Sequence, residues 1–318
     1  MPRRPSKSPS LHPRNRYQGR YNFALLARNH PPLKDFLVNG KDGQASIDFA
    51  DPAAVRCLNG ALLQHWYQIT GWQIPDDALC PPIPGRADLI HHLADLLASS
   101  HDGVIPSGEQ LRGLDVGTGA NLIYPLIGNA EYGWQFVGSD IDADALANAA
   151  HILKANPAQQ AQIALRLQSD AKCIFDGIIN AGEQFDFTLC NPPFYASASE
   201  AQQANERKWQ GLGKSPAGRN FGGRANELYC DDGEAGFLQR MAAQSKTFAQ
   251  QVFWFTSLVA SADSLKTLPE QLRALGATDV RVIDMGQGNK RSRLLAWTYL
   301  DKKQRRAWRR ARWPATRI

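Results

Sequence analysis

Two textures of apolar residues run along the chain. Short apolar runs recur at intervals, and between them apolar residues return every three or four positions. Buried strands produce the first texture and amphipathic helices the second. The runs predict strands at 114–116, 134–140, 163–168, 185–190 and 252–258, with a closing pair at 280–285 and 294–300. Helical spacing fills 143–154, 234–250 and 265–275, and Leu122, Ile123, Leu126 and Ile127 open another helix. Strands alternating with helices indicate an α/β chain built on a mostly parallel open sheet. Upstream, Asp51-Pro52 starts a helix with Val55, Leu58, Leu62 and Leu63 as its stripe. Residues 86–99 carry Leu89, Ile90, Leu93, Leu96 and Leu97 on one face, and Pro81-Pro82-Ile83-Pro84 before them reads as a rigid linker. The expected organisation is a disordered start at 1–10, a helical extension at 11–84, a core domain at 85–301 and a basic tail at 302–318.

The chemistry gathers where strands end. Leu114-Asp115-Val116-Gly117-Thr118-Gly119 runs from a strand into a helix, and its glycines let the backbone turn tightly against a ligand. A dinucleotide fingerprint would place a third glycine at 122, where the chain has Leu122. The loop therefore suits S-adenosylmethionine (SAM) better than a pyrophosphate. Asp115 would hold its ammonium, directly or through water, while the backbone of Gly117, Thr118 and Gly119 passes the methionine moiety. The next strand ends in Asp140-Ile141, where an acid can accept both ribose hydroxyls. Asp142 reads as the cap of the following helix. The third strand ends at Asp170, placed for the adenine amino group.

The fourth strand runs into Asn191-Pro192-Pro193-Phe194. A planar amino group is a poor nucleophile because its lone pair is delocalised into the ring. It needs acceptors that draw its N–H groups out of the resonance geometry, and the Asn191 amide oxygen and Pro192 carbonyl can supply them. Pro192 and Pro193 stiffen the turn, and Phe194 offers a face on which an extruded base can stack. Asn-Pro and Pro-Pro are also ordinary turn signals. The weight comes from four motifs in order at successive strand ends, where open α/β sheets bind ligands.

Charge adds a second theme. Residues 1–20 hold six Arg or Lys and residues 302–318 hold eight, with no acid in either, while 21–301 carry a balance of −8. Basic ends on an acidic body suggest phosphate binding; solubilising tails are the plainer reading. A transit peptide is disfavoured by Pro2, Pro5, Pro9 and Pro13. The long stretch at 195–233 carries Arg207, Lys208, Lys214, Arg219 and Arg224 and reads as a substrate-gripping loop; Lys290 and Arg291 sit in a second basic, glycine-rich connection. Five cysteines with no Cys-x-x-Cys pair read as reduced thiols in a cytoplasmic protein, and Cys190 as a small buried residue rather than a nucleophile. The histidines show no metal spacing, so no metal is expected.

Several segments together resemble one family. Leu11-His12-Pro13-Arg14-Asn15-Arg16-Tyr17, Pro84-Gly85-Arg86-Ala87-Asp88, the glycine loop extended by Asn121-Leu122-Ile123-Tyr124-Pro125-Leu126, Asn191 to Phe194, and Gly286-Gln287-Gly288 carry the likeness. The chain resembles the bacterial 23S rRNA adenine-N6-methyltransferase F family and, more distantly, eukaryotic enzymes that methylate an adenine in a small nuclear RNA. The likeness implies a class I SAM-dependent methyltransferase, with a Rossmann-like seven-stranded sheet, mostly parallel with an antiparallel closing strand, and a helical RNA-binding extension. It implies Arg86 at the SAM carboxylate, Asn121 near the methionine moiety, and Asp170 to Cys173, with Lys172, near the adenine. It puts Arg14 and Arg16 on the RNA-binding surface. The implied partner is 23S rRNA or a large-subunit assembly intermediate, met by a monomer. Methylation of guanine N2, of DNA adenine or of a protein glutamine, and a non-catalytic assembly role, remain as alternatives.

Overall fold

The computed structural model of the protein describes residues 11–40, 42–193, 232–287 and 290–313. A short helix α1 (Phe23–Asn29), a 3-10 turn (Pro31–Phe36) and a small hairpin of β1 (Leu37–Asn39) and β2 (Ala45–Ile47) open the chain. Next come α2 (Pro52–Tyr67) and α3 (Ile83–Ser99). The α/β core alternates β3 (Arg112–Val116), α4 (Ile123–Tyr132), β4 (Gln135–Asp140), α5 (Ala143–Lys154), α6 (Pro157–Gln160), β5 (Ile163–Leu167) and β6 (Phe185–Cys190). Helix α7 (Gly233–Ser245), β7 (Val252–Val259), α8 (Ser264–Ala274), β8 (Asp279–Gln287), β9 (Lys290–Thr298) and α9 (Lys302–Arg312) complete it.

Seven strands form one sheet in the order β5-β4-β3-β6-β7-β9-β8. The first five in that order are parallel, and β9 runs antiparallel to both its neighbours. This is the class I methyltransferase arrangement. Strand β6 is buried at all six positions, as a central parallel strand covered on both faces must be. The register sets Val116 of β3 beside Cys190 of β6, so the glycine loop and Asn191 leave the sheet side by side. Gly113 is required here, because a Cβ on it would lie 2.4 Å from the Phe187 ring on the neighbouring strand.

The sequence reading is corrected in three places. Ile83 and Pro84 are the buried first turn of α3 rather than part of a linker; proline fits there because the first turn's N–H groups have no helical partner. The expected basic tail is folded as α9 up to Arg312, started by a capping box between Asp301 and Gln304 and seated by buried Trp308 and Trp313. The hairpin β1–β2 appears where only helix was expected. The extension also shares a core with the sheet's helices: Leu26, Leu33 and Leu63 belong to the same apolar cluster as Leu93 and Leu126.

Candidate active site

A cavity of about 670 Å³ opens at the C-terminal ends of β3, β4 and β6. The glycine loop forms one wall, with Gly117 at φ +72° and Gly119 at φ +64°, a backbone that side-chain-bearing residues rarely adopt. Leu122 ends the loop in the same left-handed region, held there by a fully buried side chain. Two distant residues fasten the loop: Trp72 Nε1 donates to the Asn121 carbonyl at 2.9 Å, and Asn148 Nδ2 donates to that of Ala120 at 2.7 Å. The helical extension thus supports the loop, and its Leu79 and Pro81 line the cavity directly.

Of the residues singled out from sequence, Arg86, Gly117, Thr118, Gly119, Asn121, Asp140, Ile141, Lys172, Asn191 and Pro193 line this cavity. Asp115 lies just behind the lining. Its Oδ2 accepts from Thr118 Oγ1 at 2.7 Å, and its Oδ1 is buried with no partner among the described residues. Burial pushes this carboxyl up to about 7, opposed by the Thr118 hydrogen bond and reinforced by nearby Asp140. Asp140 is also raised by burial, while its two oxygens accept from the backbone of Gly119 and Asp142. Arg86 donates to the Tyr124 hydroxyl and stacks over that ring, yet its Nε is buried without a partner among the described residues. The Asn191 amide oxygen is in the same condition. Burial pushes the Cys190 thiol well above its ordinary value, which keeps it neutral and unreactive.

Buried polar atoms nearly always find partners. Four that do not, the Asp115 oxygen, the Arg86 Nε–H, the Asn191 amide oxygen and the Arg240 Nε–H, lie in or just behind this lining. The first two offer an anion and a cation of the kind that grip an ammonium and a carboxylate. They would suit the amino-acid end of SAM, with the loop left for its methionine chain and Asp140 for its ribose.

Other expected residues fall elsewhere. Asp170 is exposed and does not line the cavity; its Oδ1 accepts from the Lys172 backbone, so it closes its own turn. Gln168, Ala171, Cys173 and Ile174 line the wall in its place, held by Gln244 of α7. Pro192 is buried and does not line the cavity. Arg14 and Arg16 are turned to intramolecular partners. Arg14 reaches Asp95 at 2.7 Å and the His91 carbonyl, and Arg16 grips both oxygens of Glu131, at 2.6 and 3.0 Å. They anchor the N-terminal segment to α3 and α4, with their side chains 37% and 41% exposed. Phe194, Arg207, Lys208, Lys214, Arg219 and Arg224 lie outside the described residues, as do the side chains of Lys290 and Arg291. Sequence reasoning missed Tyr124, Phe237 and Arg240 in the lining. Tyr124 carried a signal, at the second position of α4 directly after the glycine loop; the two from α7 carried none. Among the described residues no cluster of three or more metal-ligating side chains occurs.

A family model described as RNA methyltransferase matches residues 5–301. The chain is 59% identical over 317 residues to "Ribosomal RNA large subunit methyltransferase F" of Pseudomonas paraeruginosa, spanning 98% of this chain and 95% of the relative. A protein of the same name from Yersinia enterocolitica is 51% identical over 313 residues, 97% of this chain and 93% of the relative. Among solved structures, the hMettl16 catalytic domain in complex with MAT2A 3′UTR hairpin 1 matches with a TM-score of 0.79 at 31% identity, over 92% of this chain and 96% of that one. The N-terminal domain of human METTL16 in complex with SAH matches with a TM-score of 0.72 at 27% identity, over 92% of this chain and 99% of that one.

Proposed function

The chain belongs to the RNA methyltransferase family, and from that premise we propose that it methylates the exocyclic N6 of an adenine in 23S ribosomal RNA. It is a SAM-dependent enzyme, and SAM, when bound, supplies an electrophilic methyl group on a sulfonium. Arg86 and Asp115 would hold its carboxylate and ammonium, the loop from Gly117 to Asn121 its methionine chain, and Asp140 with Ile141 its ribose and adenine edge. Lys172, in the same lining, would stand toward its adenine.

The observation that carries the reading is the buried, unpartnered amide oxygen of Asn191 at the cavity wall. An amide oxygen accepts a hydrogen bond and does not take up a proton at neutral pH. It suits an N–H that must be polarised and held, as on a planar amine, better than a hydroxyl that must be deprotonated. Pro192, buried behind the lining, and Pro193 would fix the turn, and Phe194 would stack on the base. Positioning the amine in line with the methyl group then supplies much of the acceleration. The choice of 23S rRNA rests on the relatives' names, and with it goes a cytoplasmic monomer acting on free rRNA or on a large-subunit assembly intermediate. The basic residues 207, 208, 214, 219, 224, 290 and 291 are candidates to grip the RNA. No helix among the described residues is long and apolar enough to cross a membrane.

The test is nucleoside mass spectrometry after incubating the purified protein with isotopically labelled SAM and, separately, 23S rRNA, 16S rRNA and duplex DNA. The expected result is labelled N6-methyladenosine from 23S rRNA alone. Label in methylguanosine or in DNA would overturn the substrate assignment and leave the fold intact.

A further inference from the structure

Helix α9 sorts its cations by direction. Arg305, Arg309 and Arg312 each meet an acid, Asp279 at 3.1 Å, Asp102 at 3.5 Å and Asp186 at 2.9 Å. Lys302, Lys303, Arg306 and Arg310 are exposed, and none forms an ion pair with a described residue. Positions 302, 306 and 310 lie four residues apart and so stack along one face, with Lys303 beside them. Like charges at that spacing disfavour a helix by a few tenths of a kcal/mol per pair, about the amount that opposite charges would contribute. The capping box at Asp301 and the buried ring of contacts around Asp186 hold the helix formed despite this.

The helix lies far from the cavity along the strands. Its anchor Asp186 stands at the start of β6 and accepts from the backbone of Arg112 at the start of β3, whereas the cavity opens where these strands end. The four steps along β6 from Asp186 to Cys190 separate the anchor from the cavity end by about 13 Å at ~3.3 Å per residue. The face is also unusual for its surroundings, since residues 21–301 carry a balance of −8.

We propose that the outward face of α9 is a second RNA-contacting surface, which binds the phosphate backbone of a 23S rRNA segment other than the one that enters the cavity. The proposal rests on the RNA substrate reading above. A rigid row of cations with no internal partners suits phosphates, which fix position and register without reading sequence. Because the row and the cavity sit at opposite strand ends, only an RNA large enough to reach around the sheet engages both. The helix therefore strengthens binding to large structured RNA and does nothing for a short fragment.

The test replaces all four outward cations in the full chain (Lys302→Gln, Lys303→Gln, Arg306→Gln and Arg310→Gln) and measures equilibrium binding to deproteinised 23S rRNA across a salt series. The thermal unfolding midpoint and SAM affinity serve as checks that the variant is folded. Four lost phosphate contacts should weaken binding ~10-fold or more at low salt and reduce the slope of log affinity against log salt by about three. A short fragment around the mapped methylation site should bind wild type and variant alike. Unchanged affinity and slope on 23S rRNA, with wild type binding normally, would overturn the contact, as would equal losses on the short fragment. A wild type that neither binds nor methylates rRNA would instead sink the substrate reading on which the proposal stands.

Discussion

At the start of β6, Asp186 is fully buried and accepts five hydrogen bonds, from the Arg112 backbone, the indoles of Trp308 and Trp313, and Nε and Nη2 of Arg312. At the other end of the same strand, the Asn191 amide oxygen is buried with no partner among the described residues, and Asp115 Oδ1 beside it is the same. A buried acceptor left unpaired costs ~1–3 kcal/mol, so a fold keeps one only where something compensates. The saturated carboxylate stitches a helix to the sheet. Of the unsaturated pair, Asn191 lines a cavity of about 670 Å³ and Asp115 lies just behind its wall, where the proposed ligands would complete them. Satisfaction of buried polar atoms thus separates the structural end of this strand from the functional one, although both ends are charged, polar and lined with aromatics.

The largest effect expected from this contrast is on stability. Asp186→Ala strands Arg312 and two indole N–H groups in the interior and should cost about 3–5 kcal/mol, read from urea unfolding. A loss below ~1 kcal/mol would mean that α9 is not held by this carboxylate. Asp115→Asn should act the other way round, weakening SAM binding by about 10- to 100-fold, as for loss of a charged hydrogen-bond partner, with little loss of stability. Calorimetric titration distinguishes the two outcomes.

The same residue gives a pH dependence. Burial raises Asp115 to about 7, above its ordinary value near 4, so folding favours the protonated form. The stability it contributes is fully present below about pH 4 and is lost as pH rises through 7. SAM-free protein should therefore show a decline in stability across that window that is shallower in Asp115→Asn, measured by unfolding at a series of pH values. An identical slope in the two proteins would remove Asp115 as its source. The smallest effect is expected for Trp308→Phe, which removes one of five donors to Asp186 and keeps most of the apolar packing; about 1 kcal/mol should be lost.

Much of the sheet is legible in the sequence because its signals are local. The run from Phe185 to Cys190 is a strand at the expected bounds, and Asp142 caps α5 through the backbone of Asp144 and Ala145. The glycine loop is legible because Gly117 and Gly119 take a backbone that few other residues adopt. What is not legible depends on partners far along the chain. Seven cations hide the two tryptophans that make residues 302–312 a docked helix, and their acceptor, Asp186, lies 122 residues before Trp308. Nothing near Arg14 and Arg16 in the sequence announces that they also hold the N-terminal segment through Asp95 and Glu131. Asp140 is the last residue of β4 and lines the cavity, whereas β5 ends at Leu167 and leaves Asp170 three residues further on, exposed and outside the lining. Nothing in the spacing of Phe237 and Arg240 announces that α7 turns them into the cavity.

The most direct test is single-turnover methyl transfer by Asn191→Ala on 23S rRNA at saturating SAM, with SAM affinity and unfolding measured on the same preparation. Removing the unpartnered oxygen should slow transfer by about 10²- to 10³-fold, the range for one preorganised polar group, while SAM affinity and stability stay near wild type. Transfer at the wild-type rate, or a loss explained entirely by weaker SAM binding, would contradict the assignment of that oxygen to the reacting amine.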